Sequence, residues 1–322
     1  MTTKSPSCRA IELDLVATAT GDAEVGSAER VHRHLETCSP CRDEYGRYRA
    51  VDSVARALRP TPPAEALAKS RAGLESRLAD LRQRRVAYRI FPSPLGHILI
   101  GRSEHGIAVV EYLHGGSSLR ASRLARVEGV EAVPGGEELE RLQRDLLDYI
   151  TGRRRSLDWT LDWRLARSDF ERAVLEATAN IPYGAVASYA GIARRIGKPS
   201  AVRAVAQALR WNPLPIVVPC HRVIGTSGRL TGYAGDKLGL KHQLLSVEGV
   251  KLHAGRGDVS IAREAMYALG EGTTEYCLPT CADIGTRSLS MVTLFASRAD
   301  AEARGLTPCS DCRPDLHPLS AA

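Results

Sequence analysis

The 322-residue sequence lacks the apolar stretches that membrane insertion and secretion require. No run approaches the roughly 20 consecutive apolar residues of a membrane helix. No basic, apolar and small-residue series follows Met1, and the acidic Glu12 and Asp14 fall where the apolar core of a secretion signal would lie. The composition, with 43% hydrophobic and 25% charged residues, is typical of globular proteins. We therefore predict a cytoplasmic protein that binds no membrane and has room for roughly two to four domains.

Acidic residues are scarce between Val186 and Val250. Nine basic residues minus the acidic Asp236 and Glu248 give this stretch a net charge of +7, which equals the net charge of the whole chain. A compact basic region favours a polyanionic partner, because each neutralised phosphate releases counterions. A solvated basic face without a partner would explain the charge equally well. The basic residues are Arg194, Arg195, Lys198, Arg203, Arg210, Arg222, Arg229, Lys237 and Lys241.

The eight cysteines fall into three groups, and their spacings indicate metal binding or catalysis rather than disulfides. One histidine and three cysteines near the N-terminus would complete one tetrahedral zinc site, and four cysteines near the C-terminus would complete a second. Cys220 is left over for chemistry. We expect two structural Zn²⁺ ions and, since no cofactor motif is evident, no organic cofactor. The first set is Cys8, His34, Cys38 and Cys41, and the second is Cys277, Cys281, Cys309 and Cys312.

The apolar pattern changes near residue 86. Before it, helical spacing predicts helices over residues 9–19, 27–37, 43–58 and 64–84, with a proline-containing linker at 59–63. After it, short extended runs at 98–101 and 107–110 predict an antiparallel sheet, and helices are predicted over 137–152 and 168–180, the second capped by Ser168.

Residues 188–211 are predicted to form a helix, a tight turn over 197–200, and a second helix from 201 to 211. This order is typical of helix-turn-helix proteins that bind duplex DNA. An ordinary helix pair with internally packed alanines is the more common alternative. On the second helix, Ala201, Ala204 and Ala208 share one face, while Arg203, Gln207 and Arg210 lie on an adjoining face that could reach DNA.

Cys220 is a candidate nucleophile. A nucleophilic thiol must be largely thiolate and close to a proton acceptor. The adjacent His221 could receive its proton directly or through a water, and Glu248 could orient the imidazole. The apolar run 216–218 predicts a buried strand that positions the thiol. By itself the Cys-His pair is not specific, because most such pairs are incidental core residues or metal ligands.

A longer series of segments resembles the O6-alkylguanine-DNA alkyltransferase family at matching spacings, over about residues 87–251. The resemblance implies direct, stoichiometric transfer of the alkyl group from O6-alkylguanine, and from O4-alkylthymine, to Cys220. No second thiol is evident that would regenerate Cys220, so the protein is expected to act once. The matching segments are Ile181-Pro182-Tyr183-Gly184, Ser188-Tyr189, Arg203-Ala204-Val205, Asn212-Pro213, Pro219-Cys220-His221-Arg222-Val223-Ile224 and Gly232-Tyr233-Ala234-Gly235.

The same resemblance implies a role for each residue of the site. His221 would be the base, through a water, with Glu248 orienting it. Asn212 would support the turn before the active-site strand, and Tyr189 would promote base flipping and donate a hydrogen bond to the base. Arg203 would fill the gap that the flipped base leaves. The full set expected to contact DNA is Arg203, Ala204, Gln207, Arg210, Arg222, Tyr233 and Ala234.

The flanking cysteine sets resemble two further domain families. The first resembles the zinc-binding anti-sigma domain, which implies a sigma-factor partner for residues 1–58; a zinc that only ties short helices together is the alternative. The second resembles the Ada-type zinc-binding domain, whose first cysteine accepts a methyl group from a phosphotriester. Cys277 is therefore a candidate second acceptor, although Leu278 replaces the customary arginine, so weakened DNA docking is expected.

Together these features predict an α+β multidomain monomer that binds double-stranded DNA with alkylated bases. An alkylation-responsive transcriptional regulator, acting through sigma-factor or promoter binding, is the alternative. The expected parts are a small helical zinc domain (1–58), a proline-containing linker and helix (59–85), a small RNase H-like β-sheet subdomain (86–165), a helical helix-turn-helix alkyltransferase subdomain (166–254) and a small zinc-binding α/β domain (262–318).

Overall fold

The computed structural model describes residues 5–58, 63–113, 118–234, 237–255 and 258–319. The chain divides into two compact units, Met1–Arg77 and Leu78–Ala322. Helices and sheets are both present, so the α+β class is confirmed. Within the described ranges, no helix is both long and apolar enough to cross a membrane. Residues 59–62 of the predicted linker lie outside these ranges.

The N-terminal segment is helical because its apolar residues recur at helical spacing. Leu15, Val31 and Leu35 are buried together, and Cys41 joins them from the first turn of the fourth helix. That helix begins at Ser39, four residues before its predicted start, which places Cys41 on a helix rather than in a loop. The helices are α1 (Pro6–Ala10), α2 (Glu12–Thr20), α3 (Val25–Thr37), α4 (Ser39–Leu58) and α5 (Ala64–Arg84).

A four-stranded sheet and one amphipathic helix follow. The predicted antiparallel strands are confirmed, and the sheet order is β3-β2-β1-β4, with β4 parallel to β1. Helix α6 buries its apolar face, which includes Leu139, Leu142 and Leu146, in the core that contains Ile98 and Ile100. The elements are β1 (Arg85–Ser93), β2 (Gly96–Ser103), β3 (Gly106–Tyr112), β4 (Glu131–Pro134) and α6 (Glu137–Ile150).

The predicted helix-turn-helix pair is present as α8 and α9. Ser188 caps α8 by accepting a hydrogen bond from the Gly191 amide at 3.0 Å, and Gly197 takes the left-handed φ of 69° that the turn between the helices requires. Ser168 caps the preceding helix as predicted. The elements are α7 (Asp169–Ala179), β5 (Ala185–Ser188), α8 (Tyr189–Arg195), α9 (Val202–Arg210), β6 (Val223–Ile224) and α10 (Leu238–Val247).

The last strands join β5 and β6 in one six-stranded sheet, in the order β12-β10-β9-β11-β5-β6. Strand β11 pairs antiparallel with β5, so this sheet crosses the predicted boundary between residues 166–254 and 262–318. The two parts share a sheet because β5 pairs with β6 along one edge and with β11 along the other. The remaining elements are β7 (Leu252–Ala254), β8 (Val259–Ile261), β9 (Tyr267–Gly270), β10 (Glu275–Cys277), β11 (Val292–Phe295), α11 (Arg298–Glu302) and β12 (Thr307–Pro308).

The predicted strand over residues 216–218 was wrong. The segment is a turn, in which Ile216 adopts a left-handed φ of 75° and the Val218 amide donates to the Leu214 carbonyl at 2.8 Å. The Asn212 side chain stabilises this turn, because it accepts from the Leu214 amide at 2.9 Å and donates to the Val218 carbonyl at 2.9 Å. The segment therefore folds back on itself instead of pairing with a neighbouring strand.

Candidate active site

Cys220 follows the turn at residues 216–218 and begins a single turn of 3-10 helix that leads into β6. Its side chain is buried, with a relative exposure of 6%. The Asn212 amide that closes the turn also donates to Cys220 Sγ at 3.2 Å. One side chain thus shapes the local backbone and supplies a donor to the sulfur, which favours the thiolate form.

His221 and Glu248 form a buried pair behind Cys220. His221 Nε2 lies 2.8 Å from Glu248 Oε1, and His221 Nδ1 is buried without a hydrogen-bond partner among the described residues. Because Glu248 is ionised, it accepts the Nε2 proton and leaves Nδ1 with a free lone pair. The imidazole is therefore set as a proton acceptor on the residue next to the thiol.

Glu248 is held by more groups than the sequence indicated. Arg222 Nε donates to Glu248 Oε2 at 2.8 Å, the Tyr149 hydroxyl donates to Oε1 at 2.7 Å, and the Gly184 amide donates to Oε2 at 3.2 Å. Burial by itself would raise the pKa of Glu248, but Arg222 and His221 outweigh burial and lower it to about 2. The carboxylate is therefore charged at every physiological pH.

Arg222 does not lie where it was expected. The sequence predicted that it contacts DNA, but its side chain is buried and its guanidinium is directed to Glu248 and Tyr149. A buried carboxylate needs such a counterion, since an unpaired charge in the interior is costly. Arg222 is therefore an internal partner of the site rather than a surface contact.

Burial keeps Cys220 and His221 uncharged in the resting protein. It raises the pKa of the Cys220 thiol, against the lowering effect of the Asn212 hydrogen bond and of the Lys241 charge. It also lowers the pKa of His221, against the raising effect of Glu248. Removing the thiol proton therefore leaves a thiolate and an imidazolium that stabilise each other.

Lys241 also belongs to the site, although the sequence indicated only that it is one of nine basic residues between Val186 and Val250. It is fully buried on α10, and its Nζ donates to the carbonyls of Val223 and Thr231, at 2.5 and 2.9 Å. Burial lowers its pKa to about 8, and its positive charge favours the Cys220 thiolate. Lys241 lies three and four residues before Leu244 and Leu245, on the helix face that is buried, and this spacing was the sequence feature that could have predicted its burial.

A cavity of about 420 Å³ opens over Cys220, between α9 and the segment 231–234. Most residues that were expected to contact DNA line it, which brings the predicted set together with the thiol. Ala204 is exposed but does not line the cavity, and Arg222 lies buried away from it. The lining includes Tyr189, Arg203, Gln207, Arg210, Cys220, Tyr233 and Ala234.

Two tyrosines border this cavity. The Tyr233 ring stands edge-on to His221, with ring centroids 6.2 Å apart, and its hydroxyl lies 2.9 Å from that of Tyr112. The Tyr189 hydroxyl donates to the Thr231 carbonyl at 3.3 Å. Burial raises the pKa of Tyr189 to about 12, so its hydroxyl remains protonated, and a rotation away from the Thr231 carbonyl would let it donate its single proton into the cavity. Gly235, the last residue of the predicted loop motif, lies outside the described residues.

The positive charge at the cavity comes from α9. Arg203 and Arg210 are exposed there and line the opening. Other basic residues that the charge count included have partners elsewhere in the protein, so the DNA-facing charge is smaller than the sequence indicated. These residues are Arg194, Arg195, Arg222, Arg229 and Lys241.

Both predicted metal-ligand sets are assembled. In each set the four ligand atoms lie within 4.8 Å of one another. Cys8 Sγ is 3.7 Å from His34 Nε2 and 3.7 Å from Cys38 Sγ. A zinc–sulfur bond of about 2.3 Å gives a tetrahedron with edges of roughly 3.8 Å, so the donor atoms fit tetrahedral zinc. The other members are Cys41 in the first set and Cys277, Cys281, Cys309 and Cys312 in the second.

Family models match two adjoining parts of the chain. Residues 169–250 match the DNA-binding domain of 6-O-methylguanine DNA methyltransferase, and residues 258–315 match the metal-binding domain of Ada. The second match supports zinc binding by the C-terminal cysteines.

Known proteins are similar to half of the chain. A methylated-DNA–protein-cysteine methyltransferase of Methanosarcina acetivorans is 39% identical over 163 residues, which are 50% of this chain and 97% of that protein. The constitutive enzyme of Bacillus subtilis is 38% identical over 168 residues, 51% of this chain and 95% of that protein. The crystal structure of Mycobacterium tuberculosis O6-methylguanine methyltransferase, 36% identical, covers 51% of this chain and 92% of that one, with a TM-score of 0.43.

Proposed function

The chain belongs to the methylated-DNA–protein-cysteine methyltransferase family, and we propose that Cys220 is the acceptor through which it repairs alkylated DNA. The protein is a DNA-repair methyltransferase that takes the alkyl group of O6-methylguanine onto one of its own cysteines. One observation supports Cys220 above all: its buried thiol faces a cavity, and the neighbouring His221 has a ring nitrogen with no hydrogen-bond partner among the described residues.

The transfer begins with a proton. The Cys220 thiol gives its proton to His221 Nδ1 through a water, while Glu248 stabilises the resulting imidazolium through Nε2. The thiolate attacks the alkyl carbon on O6, so an S–C bond forms as the C–O bond breaks. The electron pair of the broken bond leaves with guanine. The guanine then takes up the proton that the thiol gave to His221. Tyr189 assists by donating a hydrogen bond to the departing base.

Access to the base requires that it leave the duplex. Helix α9 would lie against the DNA, with Arg203 entering the stack in place of the flipped nucleotide and Gln207 and Arg210 beside it. Tyr233 and Ala234 would close over the base, and O4-alkylthymine would enter the same cavity. The product thioether is stable, so each molecule would act once.

The decisive experiment is incubation with duplex DNA containing O6-methylguanine, followed by peptide mass spectrometry. The Cys220 peptide should gain one methyl group, with no more than one equivalent per protein. Cys220→Ala should leave the lesion intact while it keeps the zinc content of the wild-type protein, which shows that the variant is folded. Loss of the lesion with Cys220 unmodified would refute the assignment.

We also propose that both ligand sets bind zinc. Cys8, His34, Cys38 and Cys41 would hold one ion, and the four C-terminal cysteines would hold the other, each lending the folding free energy that so small a core lacks. A methyl transfer to Cys277 stays a prediction; that cysteine is buried, and Leu278 beside it offers no cation for a phosphate. Sigma-factor binding by residues 1–58 also stays a prediction, since the matched families give the regulator alternative no support.

A further inference from the structure

The C-terminal zinc module, residues 258–315, is joined to the catalytic half by backbone hydrogen bonds. In the β11–β5 pairing, Leu294 lies opposite Val186 and Phe295 opposite Ala185. Just beyond these pairs, the Ala296 amide donates to the Gly184 carbonyl at 2.7 Å. The module is thus an extension of the sheet from which α8 begins.

The module also holds the first helix of the DNA-binding pair at both ends. At the start of α8, the Ser188 hydroxyl donates to the Leu289 carbonyl at 2.9 Å. At its end, Arg195 donates to Thr293 Oγ1 at 2.5 Å, and Arg194 pairs with Glu271 at 3.0 Å. A helix of seven residues has little stability of its own, so these contacts add to the packing of Ile192 and Ala193 in the main core in fixing where it lies.

A second connection reaches the proton relay. Gly184 has a left-handed φ of 67°, and a β-carbon there would lie 2.7 Å from Asp300 Oδ2 of the module. The carbonyl of Gly184 accepts from the module, and its amide donates to Glu248 Oε2. One residue, Gly184, therefore links the module to the carboxylate that orients His221 through its two backbone groups.

Zinc is what would keep this module ordered. Three of its four ligands are buried in a core that the module shares with the catalytic half, where Ile284 and Leu289 pack with Val186 and Ile224 of β5 and β6. Cys281 lies at the start of the segment that carries Leu289 to α8, and Cys277 ends β10. Without a metal, four thiols would lie side by side in this core without the bonds that zinc supplies, and a structural zinc site contributes directly to the free energy of folding.

We propose that the C-terminal zinc module braces α8, so that zinc bound at Cys277, Cys281, Cys309 and Cys312 positions Tyr189 and the helix pair for DNA. In this role Glu271 and Thr293 are positioning residues that never touch the substrate. The module then serves repair of the base as well as, or instead of, any chemistry on its own cysteines. The expected effect of the module on methyl transfer rests on the proposed function. Its expected effects on the order of α8 and on DNA affinity do not.

The first test compares the full chain with Cys312→Ser. Zinc content should fall by one ion, duplex affinity should fall at least about tenfold, and amide exchange should quicken over residues 185–196 while strands β2 and β3 stay protected. A variant that has lost this zinc but keeps wild-type affinity and exchange in α8 overturns the proposal.

The second test leaves zinc in place. Glu271→Ala combined with Thr293→Val removes the side-chain contacts with the end of α8 and leaves the Ser188–Leu289 contact at its start, and it also removes a negative charge. Direct electrostatics would therefore tighten DNA binding, whereas partial loss of the brace should weaken it a few-fold. Glu176→Ala, which removes the acidic partner of Arg172 on α7, is the matched control and should not weaken binding.

The outcomes separate the two proposals. Tighter or unchanged binding in the double variant overturns the brace. If the wild-type protein binds duplex DNA and loses affinity with its zinc, yet never methylates Cys220, the brace stands and the acceptor assignment fails. Restoring the hydroxyl alone, with Glu271→Ala and native Thr293, should recover part of the affinity, which general damage to the fold would not allow.

Discussion

Glu248 is the residue on which the charges of the site converge. It accepts from His221, Arg222, Tyr149 and the Gly184 amide, and all four hydrogen bonds are buried. The family resemblance implied one of these roles, the orientation of His221. The ion pair with Arg222 could not be anticipated, because an arginine next to a catalytic motif is as easily a surface contact as a buried counterion.

The acid stability of the protein should depend on this carboxylate. The pKa of Glu248 falls from 4.5 to about 2 on folding, so its contribution is fully present above pH 4.5 and is lost as the pH falls toward 2. Glu248→Gln also leaves the Arg222 guanidinium buried without a counterion. We expect this variant to lose about 3 kcal/mol of unfolding free energy near pH 6.

Urea unfolding of both proteins between pH 6 and pH 2 measures this difference. The difference in unfolding free energy between wild type and Glu248→Gln should decrease steadily below pH 4.5. A difference of constant size throughout that range would mean that the carboxylate is not held in its charged form. Asp80→Asn, at an exposed ion pair with Arg84, is the control and should change the unfolding free energy little.

At the scale of elements, helices were easier to predict than the segment that holds the thiol. Helix α9 was placed within one residue at each end, because its apolar spacing repeats along contiguous sequence. The apolar run at 216–218 is too short to show a periodicity, and three consecutive apolar residues are compatible with either a buried strand or a buried turn. Only the hydrogen bonds of Asn212 make it a turn.

Helix α9 should matter for duplex DNA and not for the chemistry. Arg203→Ala removes the side chain that would fill the gap of a flipped base, and flipping costs a few kcal/mol, so transfer from duplex DNA should slow about tenfold or more. Transfer from the free base O6-benzylguanine, which needs no flipping, should be nearly unchanged.

Single-turnover rates with the two substrates check this prediction, with Arg172→Ala on the neighbouring α7 as the control for charge. An equal loss on both substrates would place Arg203 in the chemical step instead. The salt dependence of duplex binding should also become shallower, since one cation fewer faces the phosphates.

At the scale of the whole molecule, the chain has two units with different roles. All residues of the candidate active site, and the second zinc-ligand set, belong to Leu78–Ala322. The first ligand set belongs to Met1–Arg77, whose core is formed by its own helices. The repair chemistry should therefore not require the N-terminal helices.

Deleting residues 1–63, which leaves α5 intact, should keep methyl transfer within about twofold of the full chain, because nothing that touches the thiol is removed. The zinc content should fall from two ions to one. Metal analysis and a single-turnover transfer assay on both proteins test this. A shortened protein that retains two zinc ions contradicts the first ligand set, and one that folds but transfers no methyl group contradicts the independence of the repair unit.

The sequence by itself determined the features that contiguous residues encode. These are the helices with clear apolar spacing, such as α6 and α9, the cysteine spacings that pick out two ligand sets, and the Pro-Cys-His-Arg-Val motif with Asn212 and Arg203 upstream of it. Such features depend on local periodicity and on the donor chemistry of a few side chains.

Only the tertiary structure decided which charges are buried and which strands pair. Val186 and Leu294 are far apart in the chain but lie opposite each other in one sheet, and no local pattern reports such a partner. Burial likewise made Arg222 and Lys241 internal charges, although the sequence placed both in the basic stretch that was expected to favour a polyanionic partner. Both results have one physical cause: long-range packing selects the environment of a residue, and the environment sets what its charge and its backbone can do.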